Sequence, residues 1–183
     1  YNVTQNFSAG ISYFRRSLEI KNKTGDVKGV IRMANKLSEM YYDRRGFDSS
    51  LYFASIALEG AESMNLRTDI YQARLAKTAS LIRQQKWDAA SSELSRLEKT
   101  ARELRVDVNF FVRFHVMKGN FYLSKKDAGR GQVHYDSALS FPNRNRFPEL
   151  YAHIYRNMAE SWYETGDYKT AYGYYQQYTA ALA

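Results

Sequence analysis

The chain has 183 residues, 44% of them hydrophobic and 25% charged, with ten Gly, two Pro and no Cys. That length and apolar share suffice for a buried core, so a disordered chain is excluded, and the missing thiols exclude disulfide frameworks, thiolate metal sites and cysteine nucleophiles. A net charge of +8 keeps anionic partners open, while no apolar run is long enough to cross a membrane as a helix and Tyr1 opens no export leader.

Hydrophobic periodicity and turn residues predict nine helices and no strand, over residues 5–22, 27–44, 47–64, 69–85, 88–105, 108–125, 128–140, 148–165 and 168–182. Thr24-Gly25-Asp26, Asn65 to Asp69, Val106-Asp107 and Phe141 to Pro148 separate one hairpin from the next, with Asp or Thr placed to cap the following helix. Pro148 suits a first helical turn. Inside the hairpins the turns are Arg44-Arg45-Gly46, Gln84-Gln85-Lys86, Lys125-Lys126-Asp127 and Thr165-Gly166-Asp167. The alternation in 108–116 (VNFFVRFHV) is the best strand candidate, but it falls where the helical period continues.

Five segments share one template, starting at Phe7, Phe47, Trp87, Ala128 and Tyr168, which are 40, 40, 41 and 40 residues apart. Each places a small residue three positions on, at Gly10, Ser50, Ala90, Gly131 and Ala171. The helix before each of the last four has its own small position, at Ser38, Thr78, Gly119 and Ala159, with a bulky residue three later at Tyr41, Leu81, Tyr122 and Trp162. Closely packed antiparallel helices need this alternation, because small side chains let the backbones approach and large ones fill the neighbouring holes. The period therefore defines a repeat array.

Tyr155 to Tyr175 (YRNMAESWYETGDYKTAYGYY) carries the aromatic, small, aromatic, Gly-Asp-Tyr, Ala and Tyr positions in the order of the tetratricopeptide repeat family, which the whole chain resembles. The repeat is about 40 residues long where the commonest form has about 34, and it resembles the elongated repeats of bacterial regulatory proteins. The resemblance implies an all-α fold, a right-handed superhelix of about nine antiparallel helices. It divides the chain into a half repeat, 1–24, and repeats at 25–65, 66–106, 107–146 and 147–183, a piece of a longer array. Against the family pattern, Lys77 and Lys118 replace an apolar first-helix position, Arg74 and His115 a large apolar one, and Tyr178 a small one.

In such a family member the first helices line a concave groove. Its ligand-facing residues would be Arg32, Asn35, Lys36 and Gln72, then Arg113, Asn120, His153, Arg156 and Asn157, with Glu39, Tyr42, Leu75, Ala76, Ala79, Val116, Met117 and Glu160 on the same face. The expected partner is a peptide or protein, an acidic one being what the three arginines suit. The family's clamp for chaperone C-terminal carboxylates is broken at Ala76 and Met117. No cofactor, metal site or catalytic residue is expected, since His115, His134 and His153 show no ligand spacing along one helix. His115 reads as a packing residue and His153 as a solvated one. Gly129-Arg130-Gly131 lacks the strand and further glycines of a phosphate loop.

Arg44, Arg45, Arg83, Lys86, Lys125 and Lys126 end first helices, where they meet the helix dipole and could form a basic edge. No recognition helix for specific nucleic-acid binding is visible. The last helix carries Tyr168, Tyr172, Tyr174, Tyr175 and Tyr178 on more than one face, the expected place for self-association or a further helix. The closing segment resembles arrays that precede a coiled coil and histidine kinase in two-component sensors. The function expected is thus the sensory or regulatory binding region of a bacterial signalling protein. The alternatives are the regulatory array of a DNA-binding transcription regulator and a stand-alone scaffold. Cytoplasm and periplasm both suit a chain without Cys.

Overall fold

The computed structural model describes residues 3–103, 108–140 and 147–182. Among them are nine helices and no strand: α1 (Val3–Lys23), α2 (Val27–Asp43), α3 (Phe47–Ser63), α4 (Arg67–Arg83), α5 (Trp87–Glu103), α6 (Val108–Ser124), α7 (Ala128–Leu139), α8 (Pro148–Thr165) and α9 (Tyr168–Leu182). Each boundary lies within two residues of its predicted place. The Val106-Asp107 turn and the Phe141 to Arg146 part of the long connector, Pro142 included, fall outside the described residues. The chain forms two compact units, Tyr1–Thr100 and Ala101–Ala183. In the first, α1 packs on α2, α2 on α3 and α3 on α4, with α2 also touching α4; in the second, α6 packs on α7, α8 on α9, and α8 reaches both α6 and α7.

One turn geometry recurs at six of the helix junctions. Gly25, Arg45, Asn65, Gln85, Lys126 and Gly166 all adopt a left-handed backbone, with φ between 52° and 88°. At the α2–α3 turn the Gly46 N–H donates to the Tyr41 carbonyl at 2.9 Å and the Arg45 N–H to the Tyr42 carbonyl at 2.9 Å. This is the Schellman pattern that satisfies the last carbonyls of a helix, and it recurs at Leu66 to Ala61, Lys86 to Leu81 and Asp127 to Tyr122. The next helix then starts at once, so neighbours run antiparallel. Asp26, Asp127 and Asp167 accept from the Gly29, Arg130 and Thr170 N–H groups at 2.9, 3.0 and 3.0 Å. Their carboxyls lie below the usual range, held down chiefly by the Lys21 ammonium at Asp26 and by the capped N–H at the other two.

Of the nine small register positions, all but Gly10 are buried. Their work differs from repeat to repeat. Ser38 Oγ donates to the Ser50 carbonyl at 2.9 Å and Ser80 Oγ to Ser50 Oγ at 2.9 Å, tying α2, α3 and α4 together. At Gly119 a Cβ would stand 2.6 Å from the fully buried Tyr135 ring, so a side chain there would have to displace that ring.

The strand-like alternation in 108–116 has a helical cause. Val112, Val116, Gly119 and Leu123 fall within about 60° around α6, while Phe114 and Phe121 lie on the opposite side, and all six are buried. The first face joins Tyr135 and Ala138 of α7 with Leu150, Ile154 and Met158 of α8 in one core cluster. A helix covered on two faces imitates period two. Helix α4 repeats the pattern, with Tyr71, Leu75, Thr78 and Ile82 against Ala73 and Ser80. Leu75 and Val116, expected on the groove face, are therefore core residues, 6% and 2% exposed.

Candidate functional site

All five ligand-facing residues expected in the second unit sit in or beside one polar network on α6 and α8, where the repeat spacing sets like positions of neighbouring first helices side by side. Asn120 Nδ2 donates to Asn157 Oδ1 at 3.3 Å, and Asn157 Nδ2 donates to the His153 carbonyl at 2.8 Å while lying 3.5 Å from His153 Nε2. The Tyr135 hydroxyl and Ser161 Oγ both donate to Asn120 Oδ1, at 2.6 and 3.1 Å. His153 is not the solvated residue expected. Burial of its ring, with the Arg113 and Arg156 charges nearby, lowers it from 6.5 to about 4, so it is neutral at physiological pH. Arg113 and Arg156 are exposed, and Arg156 Nε donates to Glu160 Oε1 at 2.9 Å. Fixed amides, a neutral imidazole and flanking guanidinium groups can hydrogen-bond a backbone and attract an anion. Ser161 Oγ engages the Asn120 amide oxygen rather than an imidazole.

In the first unit Arg32, Asn35 and Lys36 line one pocket of about 510 Å³ with Lys28, Ile31, Glu39, Leu66 and Asp69. Their α2 spacing of three to four residues puts them on one helix face. Lys36 is tied to Glu39 at 2.7 Å, whereas Lys28 and Arg32 make no ion pair among the described residues. Ile31 and Leu66 supply apolar wall. Gln72, half-buried on α4, does not line this pocket.

Four of the five positions at which the sequence departs from the repeat pattern, all but Tyr178, share one place in the repeat. On α4, Arg74 and Lys77 meet Glu93 of α5: Arg74 Nη1 lies 3.1 Å from Glu93 Oε2 and Lys77 Nζ 3.0 Å from Glu93 Oε1, with Arg96 at 3.7 Å. Arg74 also reaches Glu62 of α3 at 2.5 Å. Glu93 is 5% exposed, so a buried carboxylate answers the two cations that stand where apolar residues were expected. Forty-one residues on, the same positions are His115, Lys118 and His134, and here the two imidazoles meet, Nδ1 to Nδ1, at 3.2 Å. In the last repeat they are Tyr155, Met158 and Tyr174, and the tyrosine rings stack with centroids 6.5 Å apart. In the first they are Ala34, Leu37 and Phe53, all core. Sequence reading found the α4 and α6 halves of these contacts and missed Glu93 and His134, which lie 19 residues away on the following helix.

Part of the basic edge is occupied by ring faces. The Arg44 guanidinium lies 4.5 Å from the Phe7 ring, Arg83 lies 5.8 and 5.6 Å from Tyr42 and Phe47, and Lys125 lies 5.4 Å from Phe121. On α9, Tyr168, Tyr172 and Tyr175 are exposed as the sequence suggested. Tyr174 instead faces inward, donating to Gln132 Oε1 at 3.2 Å, and burial raises its hydroxyl. Among the described residues no helix is long and apolar enough to cross a membrane. No family model matches the chain, and no curated protein matches it. Its architecture is that of consecutively packed helices of helical-repeat type.

Proposed function

We propose that this chain is a non-catalytic binding module of the tetratricopeptide type, taking a peptide or protein segment and serving as the sensory or regulatory region of a bacterial signal-transduction protein such as a two-component histidine kinase. The reading of family and output rests on the 40-residue small-and-large register and on the closing segment's resemblance. The binding reading rests above all on Lys28 and Arg32, which line an open pocket with apolar wall and no carboxylate ion-paired to either. An acidic side chain or segment matches that chemistry. The amide, imidazole and arginine cluster on α6 and α8 supports the same reading in the second unit.

A fluorescence-anisotropy screen of an acidic peptide library tests it. Lys28→Ala with Arg32→Ala should weaken capture at least tenfold, and adding Arg113→Ala and Arg156→Ala should abolish it, with helical circular dichroism unchanged. Capture by the fourfold variant equal to wild type would sink the reading.

A further inference from the structure

We propose that His115 of α6 and His134 of α7 form a two-imidazole site for a divalent transition-metal cation, distinct from the peptide-binding surfaces and independent of that reading. Their Nδ1 atoms face each other at 3.2 Å across the helix pair. Two nitrogens bound to one zinc ion at about 2.05 Å and a tetrahedral angle stand about 3.3 Å apart, so an ion can enter between these rings with little movement of either helix. In the neutral pair one ring donates its Nδ1–H to the lone pair of the other. On metal binding that ring passes to its Nε2–H tautomer, both Nδ1 lone pairs turn to the ion, and no net proton leaves.

The surroundings hold the rings in place. Tyr122 stacks on His134 with planes 7° apart, and Phe111 lies 4.2 Å from His115, centroid to centroid. Two nearby cations lie over rings: Lys118 Nζ is 4.8 Å from the Phe114 centroid, and the Arg130 guanidinium, paired with Asp127, is 4.6 Å from that of Tyr122. Both histidines are half-buried, which leaves an approach for the ion and for water. Among the described residues no three potential ligand side chains converge, so the site as described is one of two protein ligands, with water completing the coordination. Imidazole ligation favours Cu²⁺ most, then Ni²⁺ and Zn²⁺, over Mn²⁺.

Three histidines in the chain make the test direct. Titrating the ¹⁵N-labelled chain with Zn²⁺ near neutral pH should shift the Nδ1 signals of His115 and His134 together and leave His153 unmoved. Cu²⁺ should give an electron paramagnetic resonance spectrum split by two nitrogens, and Zn²⁺ affinity by calorimetry should fall at least tenfold in His115→Gln and in His134→Gln. Should either variant fail to fold, the wild-type nitrogen shifts decide. Unmoved Nδ1 signals at His115 and His134, a shift at His153 alone, or undiminished binding in a folded variant would overturn the site.

Discussion

The α4–α5 contact is ionic and the α6–α7 contact joins two imidazoles, although both occupy the same place in the repeat. In the first, Glu93 gathers Arg74, Lys77 and Arg96 in a nearly solvent-free position. In the second, the Nδ1 atoms of His115 and His134 meet at 3.2 Å. The outer repeats fill the place with Ala34, Leu37 and Phe53, or with stacked Tyr155 and Tyr174. The register thus fixes which side chains must meet, and leaves open the chemistry by which they do so, provided both partners change together.

Breaking the ionic version should have the largest effect. Glu93→Ala leaves Arg74 and Lys77 without their buried partner and should cost about 3–5 kcal/mol in urea unfolding. The combined Arg74→Ala, Lys77→Leu and Glu93→Phe exchange, which copies the first repeat, should be neutral or stabilising. A loss below about 1 kcal/mol for Glu93→Ala would reduce this contact to an ordinary surface pair.

Acid should separate the two units next. All three histidines lie in the second. Unfolded His153 takes up a proton below about 6.5, while the folded residue stays neutral to about 4. Stability is therefore full above pH 6.5 and should fall by up to roughly 3 kcal/mol as pH drops to 4. Each unit holds one tryptophan, Trp87 or Trp162. Unfolding followed in Trp87→Phe and Trp162→Phe chains should show the acid slope at Trp162 and not at Trp87, and His153→Gln should flatten most of it. Equal slopes at both reporters would contradict the burial of His153.

A smaller effect sharpens the comparison at the neighbouring register position. Thr78 is tolerated on α4, where the residue corresponding to Tyr135 is Leu94, whereas Gly119 on α6 lies under the Tyr135 ring. Gly119→Ala should cost about 1–3 kcal/mol through overpacking, despite Ala being the better helix former. A denaturant midpoint at or above wild type would show that Tyr135 can move aside.

The helices were legible in the sequence because their punctuation is local: Gly25 and Gly166 at left-handed turns, Asp26, Asp127 and Asp167 at the caps. The small register was legible because it repeats. Cross-helix partners were not, since the pairing of Arg74 with Glu93, or of Asn120 with Asn157, depends on distances that no single-helix spacing encodes. The same limit applies to Leu75 and Val116, whose second covering helix is a tertiary fact. The burial of His153 is not legible either, because tertiary packing rather than its place in the repeat sets it.

The left-handed turn residues at 25, 45, 65 and 85 come every twentieth position, whereas the small positions return only every fortieth. The backbone therefore counts single helices while the side chains count pairs. A duplication or deletion of twenty residues would leave each hinge geometrically sound and yet carry the small position of one helix away from that of its neighbour, where Ser38 now meets Ser50. Only changes of a full forty keep both counts in step, which makes the helix pair, rather than the helix, the unit by which such an array can lengthen or shorten without loss of packing.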